Sequence, residues 1–456
     1  MNARFTEKGV PPLSSSKRLR YFSFIVMYFS QGIPEGITIF GIPAWMAMNG
    51  KSAAEIASYS ALIILPFSFK ILLAPIMERY TFLPMGRRRP WLLFGQLGIV
   101  CSLLALSLVP DPINNITGLT IAALFVHLFI MFQDIATDSL VIDIVPLDQQ
   151  GRANSLMWGS KTVGVSLSLA AGSWLINQYG FPTAIVTMAV IVSLFVLIPL
   201  LVRERAGEKL LPWTNGKTSP DAALLAIDSW RKLFKSFTQV ILLRNTILLA
   251  VAIFITMAAM HYMRTMLPVF TIQELGWDNV YYSKVYSTSN LVGGILGMLV
   301  GGFLIQRLGI IRMIHLALFC LASMAVVMSF LSSFWENKQL VSGFIAIFCA
   351  LLTINNIGAL ALAMRLCWKR ISAMQFTFSM TIFNAGLATG AALLGYLRTI
   401  YDWQIIFLIF AGFLAVSVVF LKLLKIRKHR EQVVVLEKNY LDILESEGKL
   451  LTQSDA

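Results

Sequence analysis

Apolar residues fill this chain in blocks of about 20 separated by short polar segments, a length that crosses a hydrocarbon core as a helix. Within lipid only a helix or a closed barrel satisfies its own backbone, and the blocks are too long for barrel strands. They fall near 21–42, 53–76, 91–109, 119–145, 153–177, 182–202, 244–266, 283–305, 311–331, 340–366, 373–397 and 404–425. The pattern predicts an all-α membrane protein with twelve transmembrane helices in two six-helix bundles, 21–202 and 244–425. A polar N-terminus (1–20), a connection (203–243) and a tail (426–456) complete it. Within the connection, Leu224, Ile227, Trp230, Leu233, Phe234 and Phe237 recur at three and four, which predicts one amphipathic helix at the membrane surface. In the tail a solvated helix from Val433 to Leu444 is expected.

Composition agrees. Of 456 residues 57% are hydrophobic and 13% charged, against about a quarter charged in a soluble protein. The net charge of +14 would suit a nucleic-acid partner, but its distribution reports topology. Of the 37 Lys and Arg, 30 lie on the side of the termini, 5 on the other side and 2 (Lys70 and Lys161) within spans. By the positive-inside rule both termini are cytoplasmic, in the cell (inner) membrane. The apolar run after residue 20 is too long for a signal peptide and lacks a small-residue cleavage site, so it reads as the first span. Cys101, Cys320, Cys349 and Cys367 are scattered without metal-ligand spacing and read as packing residues.

The chemistry concentrates in Gln133-Asp134-Ile135-Ala136-Thr137-Asp138, inside the fourth span. Asp134 and Asp138 are four apart and share a helix face, while Asp143 lies about 140° round and near the helix end. A carboxylate at membrane depth costs several kcal/mol unless paired, protonated or wetted, so these acids point to a solute pathway or to interhelical ion pairs. Glu35, beside Pro34 in the first span, is a cavity residue or the partner of a buried cation. Lys70 and Lys161 lie at a depth similar to that of Asp138, so the surplus positive charge there should meet Asp134, Glu35 or an anionic part of a solute.

The second half echoes the first. Aligning the tenth span with the fourth sets Asn355 against Asp134 and Ala359 against Asp138, leaving the acids in one half only. Gly293, Gly297 and Gly301 in the eighth span, and Gly386, Gly390 and Gly395 in the eleventh, allow close helix contact, expected between the two halves.

Two stretches carry a family resemblance. Glu78-Arg79 followed by Gly86-Arg87-Arg88-Arg89, and Asp143 with Pro146, Gly151 and Arg152, resemble the signatures of the major facilitator superfamily after its second and fourth spans. The resemblance implies the major facilitator fold, and a cytoplasmic gate in which Asp143 pairs with Arg87, Arg88 or Arg89 and Glu78 with Arg79, with Arg152 nearby. It leaves Glu35, Lys70, Gln133, Asp134, Asp138, Lys161 and Asn355 for a substrate and proton cavity. Gly32-Ile33-Pro34, Ala44-Trp45-Met46, Phe69-Lys70, Gln306-Arg307-Leu308 and Ser372-Ala373-Met374-Gln375 narrow the likeness to the AmpG-type muropeptide permeases and the related acetyl-CoA transporters. Lys161 matches a basic residue of the permeases, whereas Val141 stands where they carry a Lys and Glu35 where both groups carry an apolar residue.

The resemblance implies a monomeric secondary transporter for a small, anionic or amphipathic solute, with the proton as coupling ion and no other cofactor. Coupling is expected at Asp134 or Glu35. A membrane enzyme is disfavoured because no nucleophile and base stand together near an interface, and His127 and His315 lie in apolar surroundings. A receptor or lipid-moving protein on the same fold is the remaining class.

Overall fold

In the computed structural model, which describes residues 10–51, 53–277 and 279–446, the regular elements are all helical. The first bundle comprises α1 (Lys17–Met46), α2 (Ser58–Arg79), α3 (Arg89–Ser107), α4 (Ile116–Ile144), α5 (Gln150–Tyr179) and α6 (Phe181–Leu201). A short surface helix, α7 (Trp230–Ile241), precedes the second bundle. That bundle holds α8 (Arg244–Glu274), α9 (Lys284–Leu308), α10 (Ile310–Phe330), α11 (Lys338–Leu366), α12 (Ser372–Arg398) and α13 (Trp403–Lys422), and a tail helix α14 (Ile426–Ser446) follows. Eleven of these helices are long and apolar enough to cross a membrane on length and composition alone. The twelfth, α5, has 30 residues but is diluted by serines, glycines and Lys161, as befits a helix that faces other helices more than lipid.

The two bundles repeat one packing scheme. In the first, α1 lies on α5, α2 on α4, and α3 on both α4 and α6; in the second, α8 lies on α12, α9 on α11, and α10 on both α11 and α13. Contacts between bundles obey the same relation: α2 meets α12 as α9 meets α5, and α4 meets α12 as α11 meets α5. Both leading helices carry a proline followed by a widened π turn, Pro34 with Gly36–Gly41 and Pro268 with Val269–Glu274. Two parallel six-helix repeats facing one another place a site between them.

Three expectations need correction. Gly294, Gly301 and Gly302 do press α9 against Thr162, Ser155 and Arg152 of α5, across the halves, but Gly386 and Gly390 pack on Ala258 of α8 within their own half. The connection is not one amphipathic helix. It breaks between Pro220–Leu225 and α7, where Ala226 turns extended, and the carbonyl of Leu224 freed there accepts from Arg370 at 2.5 Å. The tail helix is solvated on one face only: Val434 and Val435 are exposed, whereas Tyr440 and His429 are buried, and Glu437 bonds Trp368 and Arg370 at 2.5 Å each.

Candidate transport cavity and gate

The cavity's charges are placed by breaks in α1 and α2. Pro34 cannot donate to the Ser30 carbonyl, and α1 widens at the next turn. Just before it, Gly32 and Gly164 bring α1 and α5 to backbone contact: a Cβ on Gly32 would sit 2.9 Å from the Val165 nitrogen, and one on Gly164 2.5 Å from the Phe29 carbonyl. Glu35 and Lys161 therefore meet, Nζ to Oε1, at 2.7 Å. In α2, Pro66 lies one turn before a tighter bond from the Phe69 N–H to its carbonyl (2.9 Å), and a new helical segment opens at Lys70. Lys70 reaches across to pair with Asp134 of α4. The other oxygen of Asp134 accepts from Gln31 at 2.7 Å. One turn on, Asp138 accepts a hydrogen bond from the Tyr28 hydroxyl and forms no ion pair among the described residues.

Between the bundles lies a cavity of 430 Å³. The first half contributes Tyr28, Ile64, Phe67, Lys70, Asp134, Asp138, Trp158 and Lys161 to its wall. The second half contributes Leu360, Phe376, Met380, Phe383 and Leu387, with Asn384 as a polar group among them. Glu35 stands behind Lys161, outside the lining. Two expected residues do not belong to it either. Gln133 donates to the Met27 carbonyl at 3.0 Å, tying α4 to α1. Asn355 is fully buried with neither amide atom bonded.

On the side of the termini the halves are latched. Arg87 and Arg88 share Glu78, at 2.5 and 2.8 Å, and Asp143, at 3.2 and 3.1 Å. This cluster lies within the first half, but its free valences cross to the second. Glu78 accepts the Ala373 N–H at 2.6 Å, Asp143 accepts from the Ser372 hydroxyl at 2.7 Å, and Arg87 donates to the carbonyls of Lys369 (2.8 Å) and Arg370. Two carboxylates thus meet the start of α12, where the helix dipole and free N–H groups favour negative charge. Burial and the neighbouring Arg88 outweigh the two acids and lower the pKa of Arg87. A guanidinium nevertheless stays charged.

The sequence profile described as Major Facilitator Superfamily matches residues 22–380. The chain belongs to that superfamily. It is 25% identical over 403 residues to the anhydromuropeptide permease of Escherichia coli K12, covering 86% of this chain and 78% of that one. Its fold is also similar to a variant of the E. coli fucose:proton symporter, with a TM-score of 0.66 at 13% identity, covering 89% of this chain and 98% of that one. The human organic anion transporter TETRAN superposes with a TM-score of 0.64 at 13% identity, covering 90% of this chain and all of that one (100%). The protein is a multi-pass membrane transporter, not an enzyme.

The superfamily signatures are realised with three changes of partner. Arg79 does not pair with Glu78; its guanidinium lies 5.3 Å from the Tyr80 ring centroid, while Glu78 turns inward to Arg87 and Arg88. Arg89 does not reach Asp143. It is fixed by the carbonyls of Pro199 (2.5 Å), Lys209 (2.8 Å), Leu200 (3.0 Å) and Leu210, and so anchors the connection. Arg152 is exposed, 5.7 Å over Tyr21, and away from the cluster. The sequence reading missed Glu204, whose carboxylate accepts the backbone N–H groups of Arg87 (2.9 Å), Arg88 (2.6 Å) and Arg89. The one mark it leaves in the sequence is Gly86, where the structure takes a positive φ of 103° and a Cβ would strike the Glu204 carboxylate at 2.6 Å. Tyr28 and Gln31 were missed because neither polar group is unusual in a span; only the fold brings them to Asp138 and Asp134.

Proposed function

We propose that the protein is a proton-coupled, alternating-access importer of an amphipathic, muropeptide-like solute across the cytoplasmic membrane. One observation carries the coupling: the cavity cluster holds two cations and three acids, and Asp138 is the acid left without a cation. Lys70 is matched by Asp134 and Lys161 by Glu35, so one proton on Asp138 makes the cluster neutral, and its loss restores one buried negative charge that must be wetted or matched. The Tyr28 hydroxyl is placed to hold the carboxylate when the proton leaves. This moves the coupling site from Asp134 or Glu35, both of which are engaged by lysines, to Asp138.

The solute class follows from the two walls. The charges are confined to one wall, beside Ile64, Phe67 and Trp158, and the facing wall is apolar and aromatic around a cavity of 430 Å³, which suits an amphipathic molecule whose polar groups gather on one side. The similarity to an anhydromuropeptide permease supports a glycopeptide of that kind. A plain organic anion is less well served, since both lysines already have carboxylate partners and the anion would have to displace one. The latch at Glu78, Asp143, Arg87 and Arg88 is the gate on the cytoplasmic side. Purified protein in proteoliposomes should accumulate labelled anhydromuropeptide under an inward proton gradient, and a protonophore should abolish that accumulation while exchange continues. Uptake indifferent to the protonophore would refute coupling, and absence of both uptake and exchange would refute the solute class.

A further inference from the structure

Where α14 crosses the seam between the halves it leaves a cavity of 390 Å³. Its walls are largely apolar, with Ile142 and Leu147 from the first half, Met364 and Trp368 from the second, and Val433 and Val434 from α14. At one edge stand Arg365 and Arg430, which also line an adjoining cavity of 670 Å³. Two guanidiniums at one edge repel one another, yet neither forms an ion pair among the described residues. The Nε of Arg365 and the Nε and Nη2 of Arg430 are buried with no hydrogen-bond partner. Glu437, the acid in the same wall, is already taken by Trp368 and Arg370, and Glu431, in the adjoining cavity, pairs with Arg427 at 3.2 Å. Planar, unpaired guanidinium groups at the mouth of an apolar chamber are matched by an anion carrying an apolar tail.

We propose that this cavity binds an anionic amphiphile, its phosphate or carboxylate on Arg365 and Arg430 and its chain between the halves, and that the bound molecule holds the cytoplasmic-side gate shut. The wall from the first half is continuous with Asp143, and the wall from the second runs through Trp368 to Lys369 and Arg370, whose carbonyls receive Arg87. The chamber is complete only while those segments are together. A ligand that touches both therefore binds the closed gate better than the open one and shifts the population towards it. This rests on the transport reading only in that the halves part here during transport, whatever the solute.

The test uses the purified full chain with dodecyl phosphate as probe, and inorganic phosphate and dodecanol as head-only and tail-only controls. Spin labels at Phe82→Cys and Lys422→Cys, both on the exposed cytoplasmic-side surface, in an otherwise cysteine-free background, report separation of the halves. Dodecyl phosphate is expected to raise the thermal midpoint and collapse the distance distribution to the closed separation, with neither control doing so at the same concentration. Loss of charge-assisted bonds in Arg430→Gln should raise the concentration required about tenfold or more, and Arg430→Lys should keep most of the response. In proteoliposomes, closure by phosphatidylglycerol but not phosphatidylcholine would identify the source as a bilayer lipid; closure only on adding dodecyl phosphate would identify a soluble amphiphile. Equal responses of the wild-type, Arg430→Gln and Arg365→Gln proteins, or a distance distribution indifferent to the probe, would overturn the proposal.

Discussion

The two walls of the candidate transport cavity come from helices that repeat one packing scheme and both carry apolar and aromatic side chains, Ile64, Phe67 and Trp158 among them in the first half, yet all the charge lies on one of them. The first half presents three acids and two lysines in or directly behind its wall, while the second presents Leu360, Phe376, Met380, Phe383 and Leu387 around a lone Asn384. At the position set against Asp134, the second half places a buried Asn355 that does not reach the cavity. A duplicated fold therefore need not duplicate its function. One half can carry the charge work and the other the shape, and the twofold relation survives in the packing of glycines, prolines and π turns.

The charge asymmetry between the walls rests most heavily on Asp138. Asp138→Asn should abolish accumulation against a gradient, leaving solute only at equilibrium, while Asn384→Ala should still concentrate it. Accumulation lost equally in both would mean that coupling is shared between the halves.

The ion pairs come next. Removing one partner of a buried pair leaves an uncompensated charge and costs about 3–5 kcal/mol, whereas removing both is far milder. Lys161→Met should lower the thermal midpoint sharply, and Glu35→Gln added to it should restore much of the loss. Transport should return with the fold if Lys161 serves only to neutralise Glu35. A stable double variant that does not transport would instead give Lys161 a part in holding the solute.

How much of this was legible in the sequence depends on the kind of residue. The spans, the twofold plan and the acids at 134 and 138 could be read from runs of apolar residues and from charges where lipid forbids them. The pairing could not. Lys70 and Asp134 are 64 positions apart, and the choice between Asp134, Asp138 and Glu35 as its partner depends on a turn at Phe69 that hydropathy does not record. Neighbours in a motif look alike, so Arg79 and Arg89 read as gate residues on sequence alone. Their directions are decided by local backbone, with Arg89 at the start of α3 facing carbonyls at the end of α6 and in the connection. The tail reads as solvated because it is basic and then mixed in charge, but Glu437 and Tyr440 hold Trp368 and Arg370 in the segment that leads into α12.

A smaller effect is expected at the gate. Asp143→Asn removes the charge shared by two arginines and weakens the bond to Ser372. It should slow turnover about tenfold, with solute affinity changed less than twofold, if the cluster acts on closure alone. Equal loss of affinity would move Asp143 into the binding site. The mildest substitution is Phe383→Leu in the apolar wall, expected to raise KM by a few-fold with the proton-to-solute ratio unchanged, since it removes packing and no charge. A change in that ratio would erase the division between the walls.

The most direct measurement of that division is the proton movement driven by solute itself. Anhydromuropeptide added to lightly buffered proteoliposomes, with no imposed gradient, should alkalinise the outside medium in the wild type. In Asp138→Asn the same addition should leave the pH unchanged while labelled solute still exchanges. Proton uptake persisting in Asp138→Asn at the wild-type ratio would contradict the account.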